Sequence, residues 1–358
     1  MANPNELIYN DLVNLAVDVL NSTENSFKDL NKILKKLEKE LLRQLFLVDP
    51  VSAISHNYRL QRLSKLVRRT RELITEGYNL AYRLNRSQNK IIAFSSAAAV
   101  TSSLQNALGF ELVAPVMSSS LLIAITDDNL ILADVLKSWW RKQRIDLIDG
   151  YIVTVQQSVL AGESVTKTAA SIKERMSIAS RHAHTLARTG AMSVNNSASM
   201  ASYKENDDII KGLTWLSTLD TRTTQICRTL DGKRWFLSSG RVREYSLYKP
   251  YQHKFRYPGP LAHVACRSTQ TPWLKSAEEL GIKVNKVPES TRASIDGPVP
   301  ESTNYNTWLK RQSRARQVDI LGPQKYRLWK DNHLEMSDLL DFKTNKPFTI
   351  EQLKEKYE

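Results

Sequence analysis

The sequence predicts a mainly α protein in which a helical N-terminal half is followed by a smaller α+β domain. Three observations predict it. Apolar residues step by three and four through the first half, as in Leu30, Leu34, Leu37, Leu41 and Leu45, the spacing of a buried helix stripe. From Gly212 the pattern turns to alternation, with Leu213, Trp215 and Leu219 set against Thr214, Ser217 and Thr218, which suits a half-buried strand. The 358 residues are 41% hydrophobic and 25% charged, room for two or three domains with sizeable cores and too apolar for a disordered chain.

Taken in order, Leu7, Leu12, Leu15, Val19 and Leu20 mark an opening amphipathic helix that ends near Asn21-Ser22. Ser26 can cap a second helix, which carries Phe27 and the leucine seam and stops at Asp49-Pro50. A third helix puts Leu60, Leu63, Val67 and Ile74 on one face. Cations occupy other faces of the pair: Lys35 and Lys36 on one helix, Arg62, Lys65, Arg68, Arg69 and Arg71 on the other. Residues 1–88 therefore read as a basic helical hairpin region, whose cations are either a DNA or protein contact or a solvated face.

Residues 89–210 read as a second helical region. Between Lys90 and Asp127 only Glu111 is charged, yet Ser95, Ser96, Thr101, Ser102, Ser103, Gln105, Asn106 and Pro115 interrupt the stretch. Buried small-residue helices explain it better than stable membrane insertion. Leu130 to Leu160 is helical, with Trp139-Trp140 beside Arg141, Lys142 and Arg144 as anchors of an interface, and further helix runs to about Lys204.

The α+β domain spans 211–286. Asp231-Gly232 serves as a turn and Trp235-Phe236-Leu237 as a returning strand. Asp220 and Arg222 stand at the exit of the first strand, where a carboxylate and a guanidinium make a loop clamp. Leu274 to Gly281 reads as a short helix, 287–302 as a linker bearing Pro288, Pro298 and Pro300, and 303–358 as a helical tail. Tyr305, Trp308, Tyr326 and Trp329 would pack that tail onto the domain.

Lysine and arginine number 51 against 37 acidic residues, a formal charge of +14, with a pI near 9.6. Such a surplus favours a polyanionic partner, because each neutralised phosphate releases counterions. Two cysteines cannot build a disulfide framework, so a reducing compartment is expected. The opening Met-Ala-Asn-Pro-Asn-Glu has neither the basic start nor the apolar run of a signal peptide.

One group of residues is suited to metal chemistry. His263 and Cys266 form a His-x-x-Cys pair, and Cys227 can join them if the loop folds back. A closed structural zinc site needs a fourth ligand, for which His253 is the nearest candidate and Asp231 a weaker one. The alternative is two buried thiols and a hydrogen-bonded histidine. No His-Glu-x-x-His helix, P-loop, Gly-x-Gly-x-x-Gly or Gly-x-Ser-x-Gly occurs, and His182 and His184 diverge around Ala183, so catalysis is not expected.

Several of these residues also form an ordered series. Trp215-Leu216-Ser217-Thr218-Leu219-Asp220-Thr221-Arg222, then Cys227, Gly232, and a Pro-rich approach to His263-Val264-Ala265-Cys266-Arg267 resembles the signature of the tailed-phage head-morphogenesis family, the minor head proteins similar to protein F of phage Mu. Ala187-Arg188-Thr189 upstream resembles it too, as do Trp308, Leu321 and Gly322 in the tail, so that the likeness runs from about Gly162 onward. The family pattern has a second cysteine in each half; this chain has Thr224 and Ser268 at those places, and Val264 replaces the usual proline. The full pattern looks like a zinc site or two linked pairs, which implies at most a structural zinc here. The resemblance implies a minor head protein in the capsid interior near the portal, assembled in the host cytoplasm. Its implied partners are portal protein, major capsid or scaffolding protein, and double-stranded DNA bound without sequence preference. Its implied roles are head assembly, DNA packaging or genome delivery. The rivals are a zinc-dependent nuclease or transferase delivered with the genome, and a purely structural portal adaptor.

Overall fold

A computed structural model describes residues 4–49, 56–108, 113–114, 117–127, 130–131, 134–246, 252–276, 278–280, 291–300 and 302–358. It is 67% helical, with a long helical N-terminal half and a smaller C-terminal region that carries an antiparallel sheet. In chain order the helical half holds α1 (Pro4–Val48), α2 (His56–Leu108), α3 (Ser119–Asp127), the two-residue strands β1 (Leu130–Ile131) and β2 (Asp134–Val135), α4 (Leu136–Leu160) and α5 (Val165–Glu205). The sheet-bearing region adds β3 (Ile210–Leu216), α6 (Gln225–Leu230), β4 (Arg234–Ser238), β5 (Arg241–Val242), β6 (Thr269–Leu274), β7 (Thr291–Ser294) and β8 (Gly297–Pro300). The tail is α7 (Tyr305–Lys310), α8 (Arg314–Leu321), α9 (Pro323–Asp331), a 3-10 turn at Met336–Leu339, β9 (Leu340–Asp341), β10 (Lys346–Pro347) and α10 (Ile350–Tyr357).

The expected stop near Asn21-Ser22 does not occur, since α1 runs through it. The hydroxyl of Thr23 donates to Val19 O at 2.7 Å and that of Ser26 to Ser22 O at 2.9 Å. Both side chains bond back one turn within the helix, so neither caps a new one.

Two compact units divide the chain, one made of 19–93 and 120–194, the other of 1–18, 94–119 and 195–358. The first is a helical bundle. Leu30, Leu34, Leu37, Leu41 and Leu45 of α1 are all buried, as the heptad-like spacing predicted. Gly77 of α2 faces Leu37, and Arg62 donates to Asp49 O at 3.0 Å, so α1 and α2 run antiparallel. The buried stripe of α2 differs from expectation. Ile74 is buried as predicted, but it is Leu66, Thr70 and Tyr78 that are enclosed with it, while Leu63 and Val67 are only partly buried and Leu60 is half exposed, because the helix is rotated so that neighbours of the predicted set face inward. Trp140 of α4 is likewise interior and not an anchor offered to a partner: its Nε1 donates to Asn85 Oδ1 at 3.2 Å and its ring meets Tyr78 edge-on. On α5, His184 Nε2 lies 3.0 Å from a Glu24 carboxylate oxygen, and Arg188 pairs with the same carboxylate.

The second unit is built on a four-stranded antiparallel sheet, β5-β4-β3-β6, with β3 central. Leu213 of β3, Leu237 of β4 and Leu274 of β6 share one core with Ile8, Leu12, Val100, Leu104 and Tyr203 from the flanking helical segments. The small-residue stretch supplies Val100 and Leu104 to that core, and its hydroxyls are bonded inside: Ser96 donates to Asn195 Oδ1 and Ser103 to Asp11 Oδ2, each at 2.8 Å. By length and composition alone, Leu60–Leu108 contains a window apolar enough to cross a bilayer, and 44% of that window is buried inside the protein.

A second cluster holds the tail. Tyr305, Trp308, Leu309, Leu321, Leu328 and Trp329 pack with Leu219 and Leu353, which places three of the four expected aromatics in the core. Capping sets the tail's short helices: Asn304 and Thr307 form a capping box for α7, and Thr349 and Gln352 one for α10. Gly322, at φ +77°, closes α8 and admits Pro323 as the first residue of α9. Two local expectations differ. After β6, residues 278–280 form a turn and not a helix. Within the Pro-bearing stretch, 291–300 form the β7–β8 hairpin, whose Ile295 N donates to Leu219 O at 3.0 Å; Pro288 lies outside the described residues. Each strand of a two-stranded hairpin has a free edge, where proline costs no ladder bond.

Candidate functional site

Beyond the end of β3 the chain turns at Asp220, and the carboxylate becomes a hub. Arg267 donates to both its oxygens, at 2.7 and 2.8 Å, while Thr223 Oγ1 and the backbone N–H of Arg222 add bonds at 3.1 and 3.0 Å. Burial opposes ionisation, but the Arg267 guanidinium outweighs it and holds Asp220 below the usual carboxylate range; Asp220 in turn raises Arg267. The clamp partner is therefore Arg267 and not Arg222. The Arg222 side chain is 79% exposed with Nε 3.8 Å from Asp220, because the backbone wraps the carboxylate and throws that side chain outward.

Beside this clamp lie the residues suited to a metal. Thr224 stands at the N-cap of α6 but makes no cap bond; its hydroxyl lies 2.8 Å from His263 Nε2. One turn on, Cys227 Sγ is 3.2 Å from the same nitrogen and 3.6 Å from Cys266 Sγ. A tight bend brings His263 and Cys266 together: Cys266 N donates to His263 O at 3.3 Å and Ala265 takes φ +58°, an unusual conformation for alanine. His263 Nδ1 donates to Val264 O at 2.7 Å, which leaves Nε2 as the atom that faces the sulfurs. The three donor atoms lie within 4.8 Å of one another.

Both thiols are free and fully enclosed. The two sulfurs share a hydrogen bond, which holds Cys266 well below the ordinary thiol range and pushes Cys227 well above it. Burial works against a charge on His263, but the neighbouring Cys266 sulfur outweighs it and raises its pKa. Ser268, at the other place where the family pattern has cysteine, sits 3.3 Å from the Ser217 hydroxyl and hydrogen-bonds Cys227. Thr224, Cys266 and Ser268, the other three places of the pattern, thus all interact with Cys227.

The two fourth-ligand candidates are occupied elsewhere. Asp231 accepts from Ser217 N and from Tyr305 N, both at 2.7 Å. His253 Nε2 lies 2.9 Å from Arg234 O and its ring stands edge-on against Trp235; burial pushes its pKa down to about 4. Of the family positions, Trp215 is wholly buried in β3, and Gly232, at φ +75°, donates its N–H to Trp215 O at 2.9 Å. Trp308 and Leu321 lie in the tail cluster.

Two residues that sequence reasoning passed over, Arg228 and Asn196, complete the site together with Tyr305, which was expected only to pack the tail. Arg228 is buried, donates to Ile320 O at 2.8 Å and Thr221 O at 3.2 Å, and lies over the Tyr305 ring. Tyr305 donates its hydroxyl to Asp220 O at 2.7 Å. Asn196 of α5 donates to Pro260 O and Ser268 O and accepts from Thr269, which ties the approach to β6 onto the helix. The only sequence signal for Asn196 is an Asn-Asn pair in a run of small residues.

The basic candidates lie in the helical bundle. Lys35, Lys36, Lys65, Arg68 and Arg71 are exposed and have no ion-pair partner among the described residues. Arg69 pairs with Glu72 at 3.0 Å, and Arg62, half-buried, bonds to Asp49 O.

Residues 153–271 match the family described as Phage Mu protein F like protein. That region includes β3, α6, the Asp220–Arg267 clamp and the Cys-His-Cys group, and it ends before the tail. The chain is also similar to the minor head protein GP7 of Bacillus phage SPP1, 32% identical over 93 residues, which cover 26% of this chain and 30% of that protein. No solved structure matches. Residues 153–271, then, form a region similar to the Mu protein F-like proteins and, over part of its length, to a phage minor head protein.

Proposed function

We propose that this chain is a phage minor head protein that lies inside the capsid near the portal and holds packaged duplex DNA by sequence-blind phosphate contacts. Its other contacts would be with portal and major capsid or scaffolding protein, made during assembly in the host cytoplasm. The family match supports the head role. What favours DNA over an acidic protein surface is a single feature: Lys35, Lys36, Lys65, Arg68 and Arg71 stand exposed and, among the described residues, unpaired on two helices of a chain with formal charge +14. Unpaired surface cations are the groups that exchange small counterions for phosphates.

A titration of duplex DNA against the full chain, repeated across salt concentration and with unrelated sequences, tests this. Binding that weakens steeply with salt and ignores sequence is expected. Absent or salt-insensitive binding would move the assignment to a portal adaptor whose basic faces meet acidic protein. DNA cleavage in the same tubes, dependent on added zinc, would instead support the rival nuclease reading.

A further inference from the structure

We propose that Cys227, His263 and Cys266 form a zinc site with three protein ligands and one position left to solvent. The inference is independent of the DNA reading. Zinc–sulfur bonds of about 2.3 Å and zinc–nitrogen bonds of about 2.0 Å at tetrahedral angles give S···S edges of about 3.8 Å and S···N edges of about 3.5 Å. The observed edges are 3.6 Å for Cys227 Sγ to Cys266 Sγ and 3.2 Å for Cys227 Sγ to His263 Nε2. These two edges need lengthen by only tenths of an ångström to seat an ion, and all three donor atoms lie within 4.8 Å of one another.

The histidine is already set for the task. Its Nδ1–H is committed to Val264 O, the arrangement by which a backbone carbonyl orients a metal-binding imidazole. Ala265 adopts its left-handed conformation to turn His263 and Cys266 toward the same point, a local cost that a pair of idle thiols would not explain. Two sulfurs and an imidazole select zinc over magnesium, calcium or manganese. Cys227 and Cys266 are enclosed, whereas Thr224 is exposed and His263 half-buried, so the fourth position opens on the Thr224 side, where the hydroxyl can bond a bound water. The ion would join α6 to the segment before β6, across the same gap that Asp220 and Arg267 bridge.

The test is made on the full chain purified under reducing conditions. Metal analysis is expected to find about one zinc per chain. Cobalt added to the chelator-treated protein should produce visible bands of tetrahedral cobalt with thiolate charge transfer in the near ultraviolet, absent in Cys266→Ser and weakened in His263→Gln. Thermal melting should fall by several degrees on chelation. Wild-type protein that holds under a tenth of an equivalent of zinc, gives no thiolate–cobalt band and titrates both thiols freely would overturn the proposal, whether or not the variants fold. A Cys227–Cys266 disulfide in the purified protein, or tight binding of copper(I) with no zinc uptake, would overturn it equally.

Discussion

Arg267 grips Asp220 through two parallel hydrogen bonds of 2.7 and 2.8 Å across 47 residues of chain, and both side chains are largely buried, at 17% and 10% exposure. The pair fixes the exit of β3 to the start of β6. Arg267→Ala should cost about 3 kcal/mol, because it strands a buried carboxylate. Arg267→Lys should recover only part of that, since an ammonium cannot fork onto both oxygens. Urea unfolding of the three proteins decides it: equal stabilities for Arg267→Ala and wild type would show that solvent replaces the guanidinium.

Asp231 links two parts of the domain through backbone donors, Ser217 N on one oxygen and Tyr305 N on the other. Asp231→Ala leaves two buried N–H groups without an acceptor and should destabilise by about 2–4 kcal/mol. Asp231→Asn keeps one accepting oxygen and should cost about half as much. Hydrogen exchange at the Tyr305 amide gives a local readout, expected to accelerate in both variants.

His253 has a pKa near 4, depressed by burial, against about 6.5 when unfolded. The unfolded chain therefore takes up this proton first as pH falls. The stability that neutral His253 contributes is complete above about pH 6.5 and is lost progressively between about 6.5 and 4. Allowing for the part of the ring that solvent reaches, the loss should be about 2 kcal/mol. Melting temperature followed from pH 7 to pH 4.5 should decline more steeply in wild type than in His253→Gln.

Trp140 sits in the bundle interior with its indole N–H on Asn85. Trp140→Ala should cost about 3–5 kcal/mol through the cavity it leaves and the orphaned amide oxygen. A variant as stable as wild type by calorimetry would instead return Trp140 to the role of a surface anchor.

Lys35, Lys36, Lys65 and Arg68 reversed together to Glu should flatten the salt dependence of DNA binding. Every phosphate that is no longer neutralised takes about 0.9 off the slope of log affinity against log salt, so the slope should shrink by about 3 to 4. Far-UV circular dichroism should be unchanged, as all four side chains are exposed. An unaltered slope would remove these residues from the interface.

The sequence by itself determined the class of the fold, the leucine seam of α1, strand β3 and the ordered series from Trp215 to Arg267. Each of these is written in local periodicity or in spacing along one segment. What only the tertiary structure decided was which distant groups meet. Arg267, not the adjacent Arg222, completes the clamp, because a side chain two residues away cannot reach around the turn that its own backbone makes. Cys227 meets His263 because the segment leading into β6 folds back against α6, a pairing that no spacing in the chain specifies. The continuity of α1 is hidden from the sequence for a related reason: Thr23 and Ser26 can either cap a helix or bond back within it, and burial of the stripe on both sides of them settles the choice.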